Sequence, residues 1–105
     1  MVKHVNSKEL EELISSSEKA IFCDFWASWC GPCRMLAPVF EELSEKYEGK
    51  AEFVKVDVDE NEDAAMKYKI TSIPNVMAFK GGKAVASNLG FVPAAMLEQF
   101  IEKNM

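Results

Sequence analysis

Two cysteines three positions apart, Cys30 and Cys33 in the run Trp29-Cys30-Gly31-Pro32-Cys33, are the residues best placed to do chemistry in this chain. That spacing puts both sulfurs on one side of a first helical turn, where a disulfide can close and reopen. Pro is tolerated in a first turn, so a helix is predicted to begin around Cys30-Gly31-Pro32. The free N–H groups and the dipole of a helix N-terminus stabilise an anion. Cys30 is thereby biased toward the thiolate, the form that attacks disulfides. Gly31 and Pro32 keep the turn compact and remove bulk around the exposed sulfur. The chemistry this points to is thiol–disulfide exchange.

A charge in an apolar run is the second signal. Asp24 is the only charge in Ala20 to Ala27, a nearly all-apolar stretch that reads as a strand covered on both faces. A carboxylate buried there has its pKa raised, so it can exchange protons near neutrality. Lys55 is the analogous intruder in Phe53-Val54-Lys55-Val56. A solvated lysine competes with a buried one at that position; if buried, Lys55 is expected to pair with Asp24.

The third cysteine opens a rival. Cys23, Cys30, Cys33 and His4 make up a Cys₃His zinc set by type. Strand phase argues against it, because Asp24 shares a face with Phe22 and Trp26 while Cys23 points away with Ile21 and Phe25. Cys23 then reads as a small buried hydrophobe and no metal is expected. His4 is isolated near the N-terminus and supports no catalytic role. Trp29, beside the reactive turn, is the tryptophan expected to be exposed. Ile73-Pro74 precedes a strand, where Pro is allowed, and a trans bond is the ordinary expectation for X-Pro.

These residues need elements to hold them. Lys3-His4-Val5 is a short first strand. Asn6 caps a helix, with Glu9 completing a capping box and Leu10, Leu13 and Ile14 on one stripe. The Cys30 helix carries Leu36, Val39, Phe40, Leu43 and Tyr47 inward, with Gly49 placed to end it and Pro38 expected to kink it. Glu52 to Val58 is a buried strand and Asp63 to Tyr68 a short helix. Asn75 to Lys80 and Lys83 to Leu89 flank Gly81-Gly82, a hairpin signal. Pro93 opens a last helix with Met96, Leu97, Phe100 and Ile101 inward. The order β-α-β-α-β-α-β-β-α predicts an α/β fold. Its first half is parallel, its last two strands are antiparallel, and helices cover both faces of a mixed sheet.

Composition sets the outer bounds. The chain has 105 residues, one domain's length, with 49% hydrophobic and 28% charged residues, as in an ordinary globular protein. Twelve Lys/Arg against seventeen Asp/Glu give a net charge of −5, which argues against nucleic-acid or anionic-membrane partners. No apolar run approaches the ~20 residues of a membrane helix, and neither end shows a secretory or lipidation signal. The expectation is a cytosolic protein, where thiols stay reduced and a cysteine pair is catalytic or metal-binding.

With Asp24, Trp26, Trp29-Cys30-Gly31-Pro32-Cys33, Pro38, Lys55, Ile73-Pro74 and Gly90 in this order, the whole chain resembles the thioredoxin family. The run Phe25 to Cys33 is highly specific for it. The resemblance implies one domain over residues 1–105, with a central five-stranded mixed sheet flanked by four helices and a cis Ile73-Pro74 bond. It implies Cys30 as exposed nucleophile, Cys33 as buried resolving thiol, Asp24 as proton acceptor for Cys33, and Lys55 as modulator of Asp24. It further implies a substrate groove lined by Trp29, Gly31, Pro32, Ile73, Pro74, Gly90 and Phe91. The activity implied is reduction of protein disulfides by a cytoplasmic, monomeric electron carrier. It holds no bound cofactor and is recharged with NADPH electrons by a flavin-dependent thioredoxin reductase. Asn75, Phe91 and Cys23 depart from the family pattern; the first two bear on partner preference. A redox-gated binding module is the alternative to an enzyme, and the intact pair with Asp24 behind it argues against that.

Overall fold

The computed structural model describes all of residues 1–105. Its central strand, β2 (Ile21–Trp26), is buried along nearly its whole length. Around it the sheet runs β1-β3-β2-β4-β5, with β1 at Lys3–His4, β3 at Glu52–Asp57, β4 at Asn75–Lys80 and β5 at Lys83–Leu89. β3 pairs parallel with β1 and β2, whereas β4 pairs antiparallel with β2 and β5. A strand with neighbours on both sides and helices on both faces has nowhere to put a polar side chain. That explains the apolar run and makes Asp24 conspicuous.

Strand alternation sorts the core into two layers. Phe22, Val76 and Ala78 face α2 (Gly31–Lys46) and α4 (Ala94–Asn104), meeting Leu36, Phe40, Leu43, Leu97 and Ile101. Ile21, Cys23 and Phe25 face the other way, toward Leu10 and Ile14 of α1 (Ser7–Ser16) and Ala64 of α3 (Glu62–Lys67). Asp24 therefore lies on the α2 side and Cys23 on the α1 side, as the strand phase requires.

Local chemistry sets the boundaries. Asn6 Oδ1 accepts from the Glu9 N–H at 2.8 Å, and Glu9 Oε1 accepts from the Asn6 N–H at 2.9 Å, closing the expected capping box. Gly81 and Gly82 both have positive φ, 64° and 83°, as a tight hairpin turn between twisted strands demands.

Two expectations change. α2 ends at Lys46, with Tyr47 as its C-cap, rather than at Gly49, which adopts positive φ (83°) in the turn that follows. The helix continues through Pro38, whose missing N–H leaves the Arg34 carbonyl without its usual donor. Met96 is 57% exposed, because it sits about 100° round the helix from Leu97, off the stripe that Leu97 and Ile101 form.

Candidate active site

The site is assembled where β2 ends and α2 begins. Cys30 is the N-cap of α2 with extended backbone (φ −89°, ψ 112°), and its Sγ accepts the Cys33 backbone N–H at 3.2 Å. A sulfur thus occupies the position where a capping oxygen ordinarily sits, and the donors of the first helical turn are aimed at it. Cys30 and Cys33 are joined in a disulfide. Negative charge released at Cys30 when that bond is reduced would develop against an N–H and a helix dipole.

Accessibility differs from the expected exposed-and-buried pair. Cys30 is 5% accessible and Cys33 2%. Both pack with Ala27 in a small cluster roofed by Trp26, Val58 and Ile73. Cys30 Sγ also lies 3.8 Å from the Ile73 carbonyl oxygen, so the loop before β4 covers part of its surface. Gly31 leaves open space, since a Cβ there would meet no atom within 4 Å.

Ile73-Pro74 is cis. The Pro74 carbonyl accepts the Gly90 N–H at 2.8 Å, and Gly90 has φ 81°, a conformation that side chains resist. That bond ties the start of β4 to the end of β5 beside the cysteines. Phe91 follows, partly exposed. Asn75 is buried at the first position of β4, and its Oδ1 has no hydrogen bond.

Trp29 is 67% exposed, and its Nε1 donates to Asp59 Oδ2 at 2.8 Å. Behind it opens a cavity of about 360 Å³ whose lining includes Trp29, Val58, Ala65, Met66, Ile70 and Ile73. Met66 is 79% exposed at its edge. Nothing in the sequence pattern points to this α3 side or to Asp59. The one available signal was an exposed indole N–H in need of an acceptor. A larger cavity, about 460 Å³ beside α1, lies away from the cysteines.

Asp24 is fully buried and neither carboxylate oxygen has a hydrogen-bond partner. Burial raises its pKa to about 6, with the Lys55 charge holding back part of the rise. Lys55 is the register partner of Asp24 across β2 and β3, yet the expected ion pair is not formed. The half-buried Lys55 instead places its Nζ 4.6 Å from the centroid of the Trp26 ring. The Cys₃His set does not assemble. Cys23 is buried on the opposite sheet face, where burial and the neighbouring Asp24 charge push its thiol up, and His4 packs edge-on against Trp26. No group of three or more His, Cys, Asp or Glu side chains is placed to hold a metal ion.

Known proteins place this geometry. The thioredoxin family model matches residues 1–103. Thioredoxin 1 of Nostoc is 46% identical over 96% of this chain and 94% of its own length. A Synechocystis thioredoxin is 48% identical over 94% of this chain and 92% of its own. The chloroplastic M-type thioredoxin of Pisum sativum is 46% identical over 97% of this chain, which spans 59% of that protein. A dithiol–disulfide exchange oxidoreductase with a five-stranded mixed sheet and four helices, the chain belongs to the thioredoxin family.

Proposed function

We propose that the protein reduces protein disulfides with Cys30 as the attacking thiol and Cys33 as the resolving one. The observation that carries this assignment is the Cys33 N–H donated to Cys30 Sγ at the head of α2, a bond that favours negative charge on Cys30 and not on Cys33. Cys30 thiolate attacks one sulfur of the substrate disulfide, forming a mixed disulfide and releasing the other sulfur as a thiolate. Cys33 loses its proton and attacks Cys30 Sγ. The second substrate sulfur leaves as a thiolate and the two released sulfurs take up protons from solvent; the substrate has gained the two electrons that the protein gives up in closing the Cys30–Cys33 disulfide.

Asp24 is the acceptor for the Cys33 proton, and Lys55 modulates it. Support comes from its burial on the α2 side of β2 and its raised pKa, which suits proton exchange near neutrality. Trp29, Gly31, Pro32, Ile73, Pro74, Gly90 and Phe91 form the docking groove, with open space at Gly31 and Gly90 for a partner backbone. The α3-side cavity takes an apolar side chain of the same partner. Residues 1–105 act as one thioredoxin domain and as a monomeric electron carrier. A flavin-dependent thioredoxin reductase supplies electrons from NADPH, and the protein itself holds no cofactor. No helix is long and apolar enough to cross a membrane. We place the protein in the cytoplasm, where such a dithiol stays charged.

Insulin reduction driven by dithiothreitol tests the assignment. Cys30→Ser is expected to fall to the uncatalysed rate, and Cys33→Ser to accumulate a mixed disulfide with substrate. Turnover by Cys30→Ser at the wild-type rate overturns it.

A further inference from the structure

The unusual feature of the β2–β3 pair is where Lys55 is not. Asp24 and Lys55 are direct neighbours across β2 and β3, on the same face, with strands about 4.8 Å apart. A buried carboxylate beside an ammonium ordinarily closes an ion pair, because leaving it unpaired in low dielectric is costly. Here both Asp24 oxygens stay unpartnered, while Lys55 Nζ caps the indole of Trp26 at 4.6 Å. Trp26 lies two residues beyond Asp24 on the same strand face. Its ring is braced by His4, the β1 neighbour of Lys55, edge-on at 5.9 Å and 78°.

We propose that Trp26 is a positioning residue whose indole face holds the Lys55 ammonium away from the Asp24 carboxylate and leaves that carboxylate without an ion-pair partner. The inference rests on the reading of Asp24 as proton acceptor for Cys33. A locked Asp24–Lys55 pair would keep the carboxylate ionised and depress its affinity for that proton. With Lys55 on the ring, burial keeps the Asp24 pKa raised to about 6, the Lys55 charge holding back only part of the rise. Other charged groups frame the arrangement without replacing it. Asp57 follows Lys55 on β3, Glu41 of α2 is lowered chiefly by the Ser44 hydroxyl and the Val2 N–H and least by the Lys55 charge, and Glu9, Glu60 and His4 line the cleft outside Trp26 and Lys55. Cys23 is the remaining titratable neighbour, on the opposite face.

The test reads the Asp24 carboxyl carbon by NMR in the oxidised protein, from about pH 4 to about pH 8. Wild type is compared with Trp26→Leu, Lys55→Gln and the double variant. Freed from the ring, Lys55 should pair with Asp24, so Trp26→Leu is expected to lower the midpoint by roughly 1 pH unit. In the Lys55→Gln background, the same substitution should lower it by less than a third as much. An unchanged midpoint overturns the proposal. An equal fall in both backgrounds also overturns it, because water entering the opened site would then be the cause. Trp26→Phe keeps a ring with a weaker quadrupole and serves if the leucine variant does not fold; a smaller fall is expected, and none overturns the proposal. In wild type, the Lys55 ε-methylene protons should resonate upfield from the ring current, and ordinary shifts would contradict the placement.

These readouts involve no turnover, so they separate the inference from the reading beneath it. If Asp24→Asn leaves the pH profile of insulin reduction unchanged, the acceptor role of Asp24 fails, and the inference about its protonation loses its functional consequence.

Discussion

Asp24 is buried at a cost that depends on pH. Its pKa is raised from 3.8 to about 6 by desolvation, with Lys55 opposing. Between those values the folded chain binds more protons than the unfolded one, so stability falls as pH rises and levels off above about 6. The shift corresponds to about 3 kcal/mol of stability present in acid and missing at neutrality. Glu11, Glu41, Asp63 and Glu98 have lowered pKa values and work in the opposite sense, so the contribution is isolated by difference. Asp24→Asn should therefore gain on wild type as pH rises from about 4 to about 7, in urea unfolding of the oxidised protein. A constant difference across that range would show that Asp24 titrates alike in both states. The cysteine pair and Asp24 were legible in the sequence because each breaks a local pattern, one by spacing and one by charge. Asp59 and Met66 were not, because they reach the site only through the packing of α3. The indole contact of Lys55 was equally hidden, since a strand pattern says which face a side chain takes but not which neighbour it prefers.

The elements that hold these residues are fixed by short-range chemistry. The capping box at Asn6 satisfies two backbone donors at the head of α1, whose Leu10 and Ile14 cover the face of β2 that carries Cys23. Asn6→Ala should lower stability by about 1 kcal/mol, seen as a lower urea midpoint with an unchanged slope. Insulin reduction at room temperature should stay at the wild-type rate. An unchanged midpoint would mean that water replaces the cap without loss. The ends of β4 and β5 match their sequence expectations because Pro74 and the two glycines mark them sharply. Met96 was misplaced for the opposite reason: an apolar side chain next to Leu97 fits a hydrophobic stripe by type, and only packing shows that it falls off that stripe. The low accessibility of Cys30 is likewise not legible in the local sequence, because the loop at Ile73 that covers it comes forty-three residues later in the chain.

At the scale of the whole molecule, charge shapes the approach of partners rather than the chemistry. The net charge of −5 includes five acids, Asp57, Asp59, Glu60, Glu62 and Asp63, within one seven-residue segment. That segment carries Asp59 against Trp29 and Glu62 into the lining of the α3-side cavity. A negative field beside the groove draws basic partners in and slows acidic ones, acting on encounter more than on the bound state. Two otherwise identical disulfide peptides, one flanked by lysines and one by glutamates, should therefore be reduced at different rates. At low ionic strength the lysine peptide should react about tenfold faster in single-turnover mixing with reduced protein. The ratio should shrink toward unity near 1 M salt, where the Debye length is about 3 Å. Reversing Glu60 and Glu62 to lysine together should cut the low-salt ratio while leaving the reaction with a small neutral disulfide unchanged, since neither side chain touches the cysteines. A ratio that does not respond to salt would locate the preference in direct side-chain contacts within the groove and remove the acidic segment from the account of selectivity.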